Sequence, residues 1–212
     1  MAEAEQPASL RLFIALELPA DWREALGELQ RGQERAAPGH FRWVPPELMH
    51  LTLVFLGWQP AAALAGAASA LRRAAGQVPS FKLSLGSVGT FGPPTDPRVL
   101  WVEALQPPGR LQQLRQALER ELRELAIAFD EKPLVPHITL GRGRRRGMRA
   151  PGRGRPRILR PATVAPPHAV RQIVLFESKL SPRGPSYEVR AAALLAGPGA
   201  GTRETHDPGR GT

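Results

Sequence analysis

Two short strings, His50-Leu51-Thr52-Leu53 and His137-Ile138-Thr139-Leu140, sit at the same point of an internal repeat, and that duplication restricts the folds open to this chain. Thirty-eight residues separate Leu12 from His50, and thirty-eight separate Val99 from His137. Each copy reads strand, helix, strand. Residues 10–17 and 98–104 are short apolar runs closed by proline or a proline-containing break. The helices follow: one starts near Asp21 as its cap and carries Ala25, Leu26 and Leu29, and the other, over 111–126, has leucines at 111, 114, 118, 122 and 125. Each copy then ends in an apolar strand, 48–56 or 135–140, that bears the histidine. A repeat of this kind predicts two similar α+β lobes related by a pseudo-two-fold axis, whose equivalent strands face each other across a cleft.

Around the repeat, residues 61–75 read as an alanine-rich helix, while 81–88, 170–177 and 187–195 read as strands. Residues 36–47 read as a loop broken by Pro38, Gly39, Pro45 and Pro46. Residues 1–196 form a single bilobal domain on this reading, and 197–212, rich in glycine and polar residues, a disordered tail. The net charge of +10 comes from one place. Nine arginines and no acidic residue lie between positions 141 and 160; set those nine aside, and twenty basic residues face nineteen acidic ones. Such a segment is either a solvated loop or a track for RNA phosphates. Cysteine is absent, which excludes disulfide scaffolds and thiolate metal sites. Residues 1–9 carry Glu3 and Glu5 with no basic residue, and the apolar run after them is too short for a signal-peptide core. No stretch approaches the roughly 18 apolar residues of a membrane-spanning helix. The expectation is a monomer in the cytoplasm, with no membrane association.

The chemistry follows from strand geometry. Residues i and i+2 of a strand share a face, so His50 and Thr52 point one way while Leu51 and Leu53 pack the other way; His137 and Thr139 do the same. Two such strands facing across a dyad make a site with two imidazoles and two hydroxyls. Opening a cyclic phosphodiester needs a base for water and an acid for the departing sugar oxygen, and two histidines supply both near neutral pH. Thr52 and Thr139 are placed to donate to phosphate oxygens, and Arg142 to add a charge-assisted bond. No cofactor is called for. A zinc site lacks a third clear ligand, since the sequence offers only Glu47 and Glu131 as carboxylates near the motifs.

The strings LRLFIALELP, RWVPPELMHLTLVFLG, PRVLWVEA, VPHITLGR and LFESKLSPRGPSYEV, in this order over residues 10–189, resemble the two-histidine (2H) phosphoesterase superfamily. Within it they are most similar to the LigT/ThpR-type RNA 2′,3′-cyclic phosphodiesterases, also known as 2′–5′ RNA ligases. The resemblance implies an α+β bilobal fold of two antiparallel-type sheets flanked by helices, with the site in a central cleft, and metal-independent opening of RNA 2′,3′-cyclic phosphate ends or cyclic-phosphate nucleotides to a 2′-phosphate. It also implies His50 as proton donor, His137 as proton acceptor, and Thr52, Thr139 and Arg142 as phosphate-binding residues. The long arginine/glycine/proline segment after Arg142 departs from the family pattern. Two other functions use the same residues: ATP-independent 2′–5′ RNA ligation, and non-catalytic binding of RNA ends. His40, His168 and His206 read as exposed bystanders. Phe41, Trp43, Phe55, Trp58 and Phe91 read as core, with one ring near the motifs left open as a stacking platform for a terminal base.

Overall fold

A computed structural model of the chain describes residues 9–107, 109–144, 155–161, 164–182 and 184–197. In chain order its elements are β1 (Ser9–Glu17), α1 (Ala20–Ala36), β2 (Phe41–Trp43), a one-turn 3-10 helix (Pro46–Leu48), β3 (His50–Pro60), α2 (Ala63–Ala75) and β4 (Phe81–Phe91). Then come β5 (Val99–Leu105), α3 (Arg110–Glu124), β6 (His137–Gly143), β7 (His168–Val170), β8 (Gln172–Ser181) and β9 (Gly184–Leu194). Three details depart from the sequence reading. Residues 41–43 leave the expected loop to pair with β6 as β2. Residues 46–48 form the 3-10 turn, so β3 begins at His50 itself. Asp21 lies inside the first turn of α1, where its carboxylate accepts from the Trp22 N–H at 2.9 Å, and Pro19 holds the cap position.

The strands form one antiparallel sheet in the order β7-β4-β5-β6-β3-β1-β8-β9, with β2 alongside β6. The expected pair of sheets is visible within it. The halves β7-β4-β5-β6 and β3-β1-β8-β9 join at one residue pair, Leu51 opposite Ile138. Outward from that junction, each half runs histidine strand, then the first strand of its repeat, β5 or β1.

β1 shows how the sheet acquires two faces. Leu12, Ile14 and Leu16 enter the large core under the helices, whereas Phe13 and Ala15 join Val174, Phe176 and Tyr187 in a small cluster on the opposite face. Helix α3 closes the core with Leu111, Leu114, Leu118 and Leu122, all fully buried. Each such side chain contributes about 1.5–3 kcal/mol relative to exposure.

The helices are exchanged between the halves. α1, which follows β1, packs on β6 of the other half; α3, which follows β5, packs on β3; α2 covers β8 and β9. No helix among the described residues is long and apolar enough to cross a membrane. Residues 1–8, 145–154 and 198–212 lie outside the described residues, and with them Arg145, Arg146, Arg149, Arg153, His206 and nearly all of the expected tail.

Candidate active site

Each histidine strand carries one extra residue at the same point of its motif. Against β1, Thr52 faces Ala15 and Val54 faces Ile14, leaving Leu53 as the bulge. Against β5, Thr139 faces Trp101 and Gly141 faces Leu100, leaving Leu140 as the bulge. A bulge turns a backbone carbonyl out of the regular ladder, and here a buried polar side chain reaches each. Gln30 of α1 donates at 2.7 Å to the Leu140 carbonyl, which also accepts the Val44 N–H at 2.9 Å, and to the Val44 carbonyl. Arg115 of α3 donates to the Leu53 carbonyl and to that of Asp130. Each motif is therefore braced by the helix of the other repeat.

The Leu51–Ile138 pair turns both apolar side chains into the core, so the flanking residues of both strands emerge on the other face. That register, continued one residue either way, brings His50 abreast of Thr139 and Thr52 abreast of His137. All four are half-buried, alternating with buried Leu51, Leu53, Ile138 and Leu140. The same-face reading of the two motifs is what the fold shows.

The two imidazoles are held identically. His50 Nδ1 lies 2.8 Å from the Leu48 carbonyl, and His137 Nδ1 lies 2.7 Å from the Val135 carbonyl, each two residues back along the chain. A carbonyl only accepts, so Nδ1 carries the proton and Nε2 is the atom left for chemistry. Aromatic rings fix the other surfaces. His50 has Phe13 at 4.9 Å and the Tyr187 ring edge-on at 5.2 Å. His137 has Phe91 edge-on at 5.0 Å and Trp101 at 6.2 Å. Burial pushes the His50 pKa down; its Leu48 bond opposes this, and the positive charges of Arg142 and His137 push further in the same direction. Burial also raises the Tyr187 pKa, against Arg142 and Arg11. Arg142 and His137 thus lie within electrostatic range of His50.

Arg142 is exposed, directly opposite Arg42 of β2. The segment beyond it is anchored at both ends on the His137 side. The Arg144 N–H donates to the His40 carbonyl at 2.9 Å. At the far end Gln33 makes two bonds with the Leu159 backbone, and Arg160 donates to the Val88 carbonyl.

Several readings are corrected here. His40, immediately before β2, is 5% exposed and is no surface bystander. His168 opens β7, half-buried, its ring set edge-to-face with Trp22 at 6.0 Å between centroids. Phe41 is core, but Phe55 and Trp58 are 41% and 63% exposed on the histidine face. The carboxylates in register with the histidines are Glu17, opposite His50, and Glu103, opposite His137, not Glu47 or Glu131. Each is engaged elsewhere, Glu17 with Gln172 and Glu103 with Ser87. Among the described residues no three His, Asp or Glu side chains converge as metal ligands. Sequence reasoning misses Tyr187 and Phe13 as site residues; the only signal for Tyr187 is its place in the string PSYEV.

Comparison with known proteins gives the arrangement a context. The model of the 2'-5' RNA ligase superfamily matches residues 18–168. An RNA 2',3'-cyclic phosphodiesterase of Thermus thermophilus is 33% identical over 205 residues, covering 94% of this chain and 97% of that protein. A protein of the same name from Geobacillus stearothermophilus is 33% identical over 187 residues, 87% of this chain; the chain spans 57% of that longer relative. The crystal structure of the Thermus thermophilus protein TT0787 superposes with a TM-score of 0.75 at 33% identity, over 89% of this chain and 99% of that one.

Proposed function

The chain belongs to the 2'-5' RNA ligase superfamily, and from that premise we propose that it hydrolyses RNA 2′,3′-cyclic phosphate ends to 2′-phosphates with His137 as general base and His50 as general acid. One observation carries the reading. Two imidazoles are anchored by the same Nδ1–carbonyl bond, two residues back, and leave both Nε2 atoms available on one face.

His137 Nε2 takes a proton from water, and the oxygen attacks phosphorus. The bond from phosphorus to the 3′ oxygen breaks, and His50 Nε2–H delivers a proton to that oxygen, leaving the phosphate on the 2′ position. Solvent then resets both rings. The hydroxyls of Thr52 and Thr139 and the Arg142 guanidinium hold the non-bridging oxygens, where negative charge builds in the transition state. His50 must arrive protonated to act as donor. In the free protein, burial and the nearby Arg142 guanidinium oppose that proton; a bound phosphate anion among the same groups favours it. Ligation to a 2′–5′ bond opens the same ring with a 5′-hydroxyl in place of water, and water at high concentration favours hydrolysis. The reading carries with it a cytoplasmic monomer that needs no cofactor.

The test uses an oligoribonucleotide ending in a 2′,3′-cyclic phosphate, in excess EDTA, with the product identified by phosphorus NMR. Wild-type protein gives the 2′-phosphate, and His50→Ala and His137→Ala each lose about 10²–10⁴-fold in kcat while remaining folded. Activity lost to the chelator and restored by zinc would sink the metal-free reaction. RNA bound without turnover would replace the enzyme with an RNA-end binding protein.

A further inference from the structure

The face bearing His50 and Thr52 does not end at the threonine. Directly opposed residues of β1 and β3 share a face, and they are Glu17 with His50, Ala15 with Thr52, Phe13 with Phe55, and Arg11 with Trp58. Strict alternation would have sent residue 55 into the core. The bulge at Leu53 and a second at Leu56 change the spacing, so that Thr52, Phe55 and Trp58 emerge together at intervals of three. The cost of exposing two large rings is plain: Phe55 is 41% and Trp58 63% exposed. Beside them lies a cleft of about 360 Å³ lined by Arg11, Phe55, Leu56, Gly57 and Asp130.

The cleft is cationic in effect. Asp130 is engaged by Lys132, through Nζ at 3.0 Å and the backbone N–H at 3.1 Å. Arg11 donates to the Ser178 hydroxyl at 3.1 Å, which orients its guanidinium, and among the described residues no carboxylate pairs with it. One ring, Phe13, links Phe55 at the cleft edge to His50. Phe13 lies 4.9 Å from His50 and 6.0 Å from Phe55, ring to ring. From Ala15, abreast of Thr52, to Arg11 is four residues of strand, about 13 Å. Separated exposed rings with a cation beside them, leading away from a phosphate-handling site, are the features of a single-stranded nucleic-acid platform, where bases stack and the backbone meets an arginine.

We propose that Arg11, Phe55 and Trp58 form a subsite for the RNA upstream of the cyclic phosphate, with bases stacked on the two rings and a backbone phosphate at Arg11. This rests on the reaction proposed above and deepens it: the favoured substrate is an oligonucleotide, not a mononucleotide.

The experiment compares a mononucleoside 2′,3′-cyclic phosphate with a short oligoribonucleotide bearing the same end. Trp58→Ala raises KM for the oligonucleotide about tenfold, within the range of one lost base stack, and leaves the mononucleotide unchanged. Arg11→Gln weakens the oligonucleotide alone and lowers its salt slope by about 0.7, the share of one phosphate contact on a single strand; Arg11→Lys restores the slope. Equal effects on both substrates make these residues structural and overturn the subsite. No effect on the oligonucleotide overturns it too, and leaves the face to a protein partner. Wild-type protein that hydrolyses neither substrate sinks the reaction rather than the subsite. In that case, quenching of Trp58 fluorescence by the oligonucleotide, absent in Trp58→Ala, upholds the subsite, and its absence from wild type overturns it.

Discussion

Gly89 of β4 faces Trp101 of β5 directly across the ladder, and the indole lies over the glycine. A Cβ at residue 89 would sit 2.3 Å from Cζ2 and 2.4 Å from Cη2 of that ring. Ordinary carbon–carbon contact begins near 3.5 Å, so the ring must retreat by about 1 Å. It has little room. Phe91 flanks it at 5.1 Å, and the His137 ring stands 6.2 Å away. Gly89→Ala should therefore cost about 1–3 kcal/mol as an overpacked site. It should also disturb the wall that orients His137, and a displacement of this size at a reacting group lowers kcat by about a hundredfold. The assay is urea unfolding together with kcat on a mononucleoside cyclic phosphate, run in a double-mutant cycle with Trp101→Ala. Removing the indole removes the clash, so Gly89→Ala should cost almost nothing in that background. Equal destabilisation in both backgrounds, or wild-type kcat in Gly89→Ala, would refute the coupling of this glycine to the histidine.

The lowered His50 pKa has a consequence for stability: between the folded value and the ordinary one near 6.5, the unfolded chain binds more protons, so stability rises with pH and is lost as pH falls through the folded pKa. His50→Gln should flatten that part of a urea-unfolding series between pH 5 and 8, and stability that instead fell with rising pH would reverse the sign. Arg115→Met removes the donor to the buried Leu53 carbonyl and should cost about 1–3 kcal/mol for that group alone; a loss below about 0.5 kcal/mol would mean that the bulge is satisfied without α3.

The shared face of the motif residues was legible because alternation has a fixed period. Leu51 and Ile138 announce a core face, and the histidines and threonines then have only one other place to go. The repeat spacing likewise announced the two halves. What stayed hidden depends on register. The run Leu51 to Leu56 is apolar throughout apart from Thr52, so nothing local marks Leu53 and Leu56 as bulges or Phe55 as exposed. Glu17 and Glu103 stand opposite the histidines across 33 and 34 residues of chain, a relation only pairing can reveal. His40 is buried although it lies in a stretch, broken by Pro38, Gly39 and Pro45, that reads locally as loop. Tyr187 reaches His50 from the far end of the chain. The exchange of helices was also illegible, because α1 and α3 have ordinary amphipathic sequences that do not specify which sheet half they cover.

That exchange governs how the chain can come apart. Neither repeat owns a complete fold: Gln30 in the first closes the Leu140 bulge in the second, and Arg115 in the second closes the Leu53 bulge in the first. A fragment holding one repeat would leave a helix without its sheet and a bulge carbonyl without its donor. Cleavage between the repeats, near residues 92–97, should thus give two pieces that fold only on each other. In the intact chain the contacts that matter close late and over long sequence separations, which makes for slow folding and a single cooperative unfolding transition. The same interlock suits a gene that arose by tandem duplication of a self-associating half, since two identical copies trading helices would already have had the cleft between them.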